Sequence, residues 1–273
     1  MDLKMEKIGF IGAGNMAEAL IKGLINSRLY SPEQVSASDN DQEKLKTKSE
    51  NFGIKAYASN RDLVQASSII VLSVKPQVIR EVLSDIRDCL SPDHLVISIA
   101  AGIPVNLIQE IIGKDKPIIR VMPNTPALIQ RGISALASGG TATPEHMDKA
   151  RGIFNAVGKT VIVDEGMMDA VTALSGSGPG FLFRIMECFV EAGVKQGFDR
   201  ETALLLTTQT FLGASHLADE SGLSLSRLRE MVTSPGGTTA AGLAGFEANG
   251  LQNIILSAVK AACDRSIELG KKK

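Results

Sequence analysis

Gly12, Gly14 and Ala17 form a G-x-G-x-x-A series directly after the apolar run Ile8-Gly9-Phe10-Ile11. A strand that turns through such a series into a helix presents backbone N–H groups and a helix N-terminus to a pyrophosphate. Gly12 permits the tight turn, Gly14 lets the phosphates reach the backbone, and small Ala17 allows close helix–strand packing. A merely compact glycine turn would use the same residues, but the flanking strand and helix favour a dinucleotide. Asp39 stands with Ser38 and Asn40 at the end of the next expected strand, about where a ribose is recognised. A carboxylate there binds a 2′-hydroxyl and repels a 2′-phosphate, whereas Ser38, Asn40, Asn60 and Arg61 could donate to that phosphate. A plain Asx turn is the alternative use of this cluster.

Four further segments carry polar groups at useful places. Val74-Lys75-Pro76 and Ile99-Ala100-Ala101-Gly102 each end an apolar strand-like run, on the side of a parallel sheet where a cofactor crevice opens, although Lys75 serves equally as a solvated surface lysine. Arg120-Val121-Met122-Pro123-Asn124-Thr125-Pro126 either lines the nicotinamide side of that crevice or only shapes a loop. Leu174-Ser175-Gly176-Ser177-Gly178-Pro179-Gly180 and Thr233-Ser234-Pro235-Gly236-Gly237-Thr238-Thr239 bring glycines and hydroxyls together ahead of helical stretches. Consecutive backbone N–H groups in such a loop can hold a carboxylate without an arginine.

The elements that position these residues follow from hydrophobic spacing. Residues 7–11, 34–37, 69–74, 95–99, 118–122 and 160–163 read as strands, alternating with helical spacing over 15–26, 41–51, 78–87, 105–112 and 144–157. Near-continuous apolar runs and strict alternation predict an α/β, doubly wound parallel sheet covered on both faces. Beyond residue 163 the strand pattern stops, and amphipathic stretches at 179–196, 200–220, 225–233 and 253–269 predict an all-helical second part, with Asp199 and Ser224 as N-caps. The expected domains are therefore 1–165, binding a dinucleotide, and 166–273, helical.

Composition removes other classes of function. With 29 Lys and Arg against 30 Asp and Glu, the formal net charge is -1, which offers no footprint for nucleic acid or an anionic membrane. The longest apolar run, residues 95–105, is about half of the ~20 residues a membrane-spanning helix needs. Residues 1–7 mix acidic and basic side chains and lack the pattern of a signal peptide, and the tail 271–273 reads as a solvated end. Cys89, Cys188 and Cys263 are scattered and odd in number, which fits a reducing cytoplasm. His94, His146 and His216 are isolated, no set of side chains has metal-ligand spacing, and no G-x-S-x-G or Walker sequence occurs.

In this order and spacing, Phe10-Ile11-Gly12-Ala13-Gly14-Asn15-Met16, Val74-Lys75-Pro76, Ala100-Ala101-Gly102, Met122-Pro123-Asn124-Thr125-Pro126, the run from Asp169 to Pro179, and Ser234-Pro235-Gly236-Gly237-Thr238-Thr239 resemble pyrroline-5-carboxylate reductase. The resemblance spans almost the whole chain, and its last two motifs are the most specific. It implies a Rossmann domain followed by a helical dimerisation domain, and reduction of the cyclic imine Δ1-pyrroline-5-carboxylate to L-proline with NADPH or NADH. It also implies a homodimer through interleaved C-terminal helices, assembled in several members into a decamer.

By the same resemblance, Ile11, Gly12, Ala13, Gly14, Asn15 and Met16 surround the pyrophosphate, while Ser38, Asp39, Asn40 and Asn60 meet the adenosine ribose. Ser73, Val74, Lys75, Pro76, Ile99, Ala100 and Ala101 meet the rest of the cofactor. Thr239 faces the imine nitrogen, and Ser234, Gly236, Gly237 and Thr238 hold the substrate carboxylate, with Glu165 and Ser177 nearby. Two departures stand out: Gly180-Phe181 replaces the family's usual alanine and tyrosine, and Asp39 occupies a place where members using NADPH often carry serine. A related hydroxyacid dehydrogenase would carry an Asn and a Lys one turn apart early in the long interdomain helix, which residues 178–184 lack. A dinucleotide-binding regulator without turnover would leave the two glycine-rich loops of the helical part without a task.

Overall fold

The computed structural model describes residues 6–271. The expectations for the N-terminal stretch 1–7 and the tail 271–273 lie largely outside the described residues. Eight strands form one sheet: β1 (Ile8–Ile11), β2 (Val35–Ser38), β3 (Lys55–Ala56), β4 (Ile69–Leu72), β5 (Leu95–Ser98), β6 (Pro117–Met122), β7 (Gly132–Gly140) and β8 (Gly158–Ile162), in the order β3-β2-β1-β4-β5-β6-β7-β8. Between them run α1 (Asn15–Asn26), α2 (Gln42–Phe52), α3 (Asn60–Gln65), α4 (Ile79–Ile86), α5 (Val105–Ile112) and α6 (Pro144–Asn155). The described residues then continue through α7 (Met168–Val171), α8 (Gly178–Lys195), α9 (Arg200–Glu220), α10 (Leu225–Met231), α11 (Thr238–Ala248) and α12 (Leu251–Lys271).

The apolar strands are buried because their alternate side chains enter two cores. Ile8, Phe10, Ile69 and Val71 pack with Leu20 and Leu24 of α1 and Phe154 of α6. Ile11, Ile70 and Leu72 pack on the opposite face with Leu63 of α3, Leu83 of α4 and Ile108 of α5. β1 pairs in parallel with both β2 and β4, Ile8 meeting Val35 on one side and Ile69 on the other. The chain leaves β1 towards β2 and later enters β4 on the other flank, so the carboxyl ends of β1 and β4 form the switch point where doubly wound sheets bind ligands.

One part of the predicted sheet is corrected. β7, which the sequence pattern did not reveal, runs antiparallel to β6 from Pro117↔Gly140 to Met122↔Ala135 and parallel to β8. Its small residues have weak strand preference, and the ladders on both sides fix it, with Ala135 and Ala137 buried against Met168. The expected strands 69–74 and 95–99 end at Leu72 and Ser98, freeing the residues after them to form turns. Asp199 and Ser224 cap α9 and α10 as expected, accepting from the N–H groups of Thr202 at 2.9 Å and Arg227 at 3.2 Å.

The chain packs as two compact units. The described residues up to Ser177 and those from Ala261 onward make one, and Gly178–Lys260 makes the other. The packing break follows Ser177, with Met168 and Ala173 fully buried in the first unit. The end of α12 belongs there too. Buried Ser266 donates to Asp169 Oδ1 at 2.6 Å, and a side chain at Gly270 would place its Cβ 2.6 Å from the carbonyl oxygen of Gly102. Among the described residues no helix is long and apolar enough to cross a membrane.

Candidate active site

The turn from β1 into α1 is locked to the ends of its neighbouring strands. The Gly12 N–H donates to the Ser38 carbonyl at 2.8 Å, and the Ser73 hydroxyl donates towards the carbonyls of Gly12 at 2.7 Å and Ile11 at 3.0 Å. Gly12 has φ +95°, and a Cβ there would lie 2.7 Å from the Ser73 carbonyl oxygen, so this position requires glycine. Gly14, the N-cap of α1, differs. No side chain caps that helix, and a Cβ on Gly14 would meet nothing within 4 Å. The chain has left open space at an uncapped helix N-terminus, as a phosphate cradle requires.

A cleft of about 400 Å³ opens beside this turn, and ten of the residues expected to touch cofactor line it. Ile11, Gly12 and Gly14 supply one wall, Ser38, Asp39, Asn40 and Asn60 a second, and Ser73, Val74 and Lys75 a third. Lys75 makes no ion pair among the described residues. Ala13, Asn15, Met16 and Pro76 adjoin these walls in sequence, while Ile99, Ala100 and Ala101 follow β5 and do not line the cleft. Sequence reasoning missed Lys44, Glu81 and Asp85, which also line it. Lys44 carries a signal, its place in the first turn of α2 just beyond the Asp39 cluster, whereas the others face the cleft only through the packing of α4.

Asp39 is held from several directions. Its Oδ2 accepts the Ala13 N–H at 2.6 Å and the Lys44 ammonium at 3.0 Å, and its Oδ1 accepts the Asp41 N–H at 3.0 Å. Partial burial alone would raise its pKa, but these donors outweigh it and hold the carboxyl below the ordinary carboxylate value. Buried Ser38 donates to Asn60 Oδ1 at 2.8 Å, and the Asn60 amide donates in turn to Asp85 at 3.3 Å. Arg61, a candidate phosphate donor, points elsewhere: its guanidinium donates to the Asp85 carbonyl at 2.9 Å and does not line the cleft.

The first unit carries a second polar group, whose residues do not line that cleft. Glu165 Oε1 accepts the Val105 N–H at the start of α5 at 2.6 Å and pairs with Arg120, nearly buried on β6, at 3.4 Å. Asn124 is fixed by the Ile133 N–H at 3.0 Å and donates to Ser175 at 3.4 Å. Ser175 lies in a π-helical turn, Thr172–Gly176, which ends where the Ser177 N–H donates to the Thr172 carbonyl at 2.8 Å. Such turns are rare and recur at functional sites. The Ser177 hydroxyl makes no hydrogen bond among the described residues.

In the second unit, the loop from Ser234 to Gly237 closes with a Gly237 N–H to Ser234 carbonyl bond of 3.0 Å and turns at Gly236, whose φ is +71°. It delivers the chain into α11 with Gly237 as N-cap, so Thr238 and Thr239 occupy the first helical positions. No side chain caps this helix, and its first described i→i−4 bond runs from the Ala241 N–H to the Gly237 carbonyl. Thr239 is half-buried and is not the cap residue. The loop thus offers unpaired amide donors beside a hydroxyl, a suitable receptor for a carboxylate next to a basic nitrogen.

Comparisons with known proteins identify the family. Residues 165–269 match a family described as pyrroline-5-carboxylate reductase dimerisation, and residues 7–102 one described as NADP oxidoreductase, coenzyme F420-dependent. A pyrroline-5-carboxylate reductase of Methanosarcina acetivorans is 43% identical over 99% of this chain and 100% of its own. The solved reductase of Coxiella burnetii superposes with a TM-score of 0.92 at 38% identity, covering 98% of this chain and 99% of that one. The Plasmodium falciparum pyrroline carboxylate reductase, solved with NADP bound, gives 0.89 at 32% identity, covering 99% and 100%. The chain therefore belongs to the pyrroline-5-carboxylate reductase family of NAD(P)H-dependent oxidoreductases.

Proposed function

We propose that this chain reduces Δ1-pyrroline-5-carboxylate to L-proline, the last step of proline biosynthesis, and that the loop from Ser234 into α11 is its substrate receptor. The bound nicotinamide of NADPH or NADH supplies a hydride to the imine carbon. Gly14 and the start of α1 hold the pyrophosphate, with Ser38, Asp39, Asn40 and Asn60 on the adenosine side and Ser73 to Pro76 and Ile99 to Ala101 on the nicotinamide side. Ser234, Gly236, Gly237 and Thr238 hold the carboxylate. Thr239 holds the imine nitrogen, where the proton is gained. Glu165 and Ser177 complete the substrate's surroundings, Glu165 through the Arg120 and Val105 contacts that fix it.

Positioning and hydrogen bonding are sufficient for this chemistry, because an iminium carbon accepts hydride without a metal or a catalytic histidine. The observation that carries the reading is the uncapped N-terminus of α11, with Thr239 in its first turn. The test is oxidation of NADH or NADPH, followed at the nicotinamide band, with the cyclic imine and with simple 2- and 3-keto acids. Turnover is expected with the imine alone. Turnover with a keto acid and none with the imine would reject it.

In this reading, residues 1–165 bind the dinucleotide and residues 166–273 bind substrate and join copies of the chain into a homodimer, with a decamer as the larger assembly. Support comes from the helices of the second unit, where Leu204, Leu205, Leu206, Ile254 and Leu256 are each at least half exposed. That much apolar surface calls for a partner. Light scattering at micromolar concentration is expected to give a dimer or larger, and a stable, active monomer would overturn it. The free thiols Cys89, Cys188 and Cys263 support a cytoplasmic setting.

A further inference from the structure

Resting on the assignment of the β1–β4 cleft to NAD(P)H, we propose that Lys44 is a cofactor-specificity residue: it cancels the charge of Asp39, so that a 2′-phosphate is admitted despite a carboxylate at the ribose position. A carboxylate at the end of the second strand receives ribose hydroxyls and rejects a 2′-phosphate by charge. Asp39 has the right place, but its Oδ2 carries the Lys44 ammonium at 3.0 Å. Lys44 is built in rather than draped over the surface. Its own N–H donates to the Asp41 carboxylate that caps α2, which fixes the start of the side chain, and the side chain is 35% exposed.

Among the described residues, Lys75 is the one other cation that lines the cleft. Asp39, Glu81 and Asp85 face it against Lys44 and Lys75, so carboxylates already outnumber lysines. Arg61, the nearest guanidinium in sequence, is turned to the Asp85 carbonyl. Removing Lys44 leaves the Asp39 carboxylate uncompensated in a cleft with a net excess of negative charge. Because Asp39 Oδ2 also accepts the Ala13 N–H, it stays anchored beside the glycine turn when its cation is lost. A dianionic 2′-phosphate then meets bare repulsion, while a 2′-hydroxyl still finds an acceptor.

The probes are adenosine 2′,5′-bisphosphate and adenosine 5′-monophosphate, titrated calorimetrically into the full chain at fixed ionic strength without imine. Lys44→Met is expected to lower the preference for the bisphosphate at least tenfold, about 1.4 kcal/mol, and Lys44→Arg to keep it within about threefold of the parent. Asp39→Ser is expected to raise that preference, and so the NADPH/NADH ratio of kcat/KM. Combining Asp39→Ser with Lys44→Met should return the preference to within about threefold of the parent, since neither charge remains. Equal weakening of both probes by Lys44→Met would mark Lys44 as structural, and an unchanged preference, or a double variant as poor as Lys44→Met alone, would equally overturn the proposal. Failure of imine turnover with probe selectivity intact would reject the proposed reaction and leave this inference standing, whereas binding of neither probe by the parent would remove the cleft assignment on which it depends.

Discussion

Thr239→Ala is expected to lower kcat with saturating imine and nicotinamide by roughly ten- to a thousandfold, while the melting temperature stays close to that of the parent. A competing role as a helix cap would give the opposite pattern, a stability loss of roughly 0.5–2 kcal/mol with the chemistry largely intact. The geometry already separates the two, because the N-cap of α11 is Gly237 and no side chain caps the helix. Removing the Thr239 hydroxyl therefore takes away no structural bond at the helix start. Thr239→Ser, which keeps the hydroxyl, should recover much of the lost rate. Should the alanine variant retain near-normal kcat, Thr239 has no chemical task, and the proton comes from water or the substrate binds already protonated.

The second large effect is expected at Gly14. Gly14→Val should weaken NADPH and NADH binding by on the order of a hundredfold, about 2.7 kcal/mol, with little change in melting temperature. The fold has room for the new side chain, since a Cβ there meets nothing within 4 Å. The loss would therefore come from filling the space a pyrophosphate needs. Gly12 provides the contrast: its φ of +95° and the nearby Ser73 carbonyl mean that any side chain there strains the turn, so Gly12→Ala should lower stability and cofactor binding together. A Gly14→Val protein that melts as the parent and binds cofactor normally would place the pyrophosphate elsewhere.

The cofactor half was legible from local signals. A G-x-G-x-x-A series between a strand and a helix fixes its own geometry, and short β-branched apolar runs such as Ile69–Leu72 suit strands covered on both faces. Other features depended on distant partners. Ile133 and Leu136 are the only large apolar residues in β7, so neither period nor propensity singles it out from a loop. The glycines of α11, Gly242 and Gly245, masked a helix that begins within the substrate motif. Polar partnerships were the least readable: the Arg120–Glu165 ion pair, 45 positions apart, and the Ala13 N–H on the Asp39 carboxylate, 26 apart, form only because the sheet brings distant segments together. Candidate residues were thus recognisable by type, while the contacts that tune them belong to the tertiary structure.

The return of α12 to the first unit has a consequence for biosynthesis. The nucleotide-binding unit is discontinuous in the chain, interrupted by Gly178–Lys260 and completed only from Ala261 onward. A ribosome adding roughly 5–20 residues per second must therefore finish the helical insert before Ser266 can reach Asp169 and Gly270 can lie against Gly102. Until then the turn after β5 lacks its covering helix. The insert, contiguous in sequence, can gather its helices first and bring its two ends together, which lowers the loop-closure entropy that completing the first unit must overcome. In a nascent chain the last-made residues of α12 thus act as the closing clasp of the first-made fold.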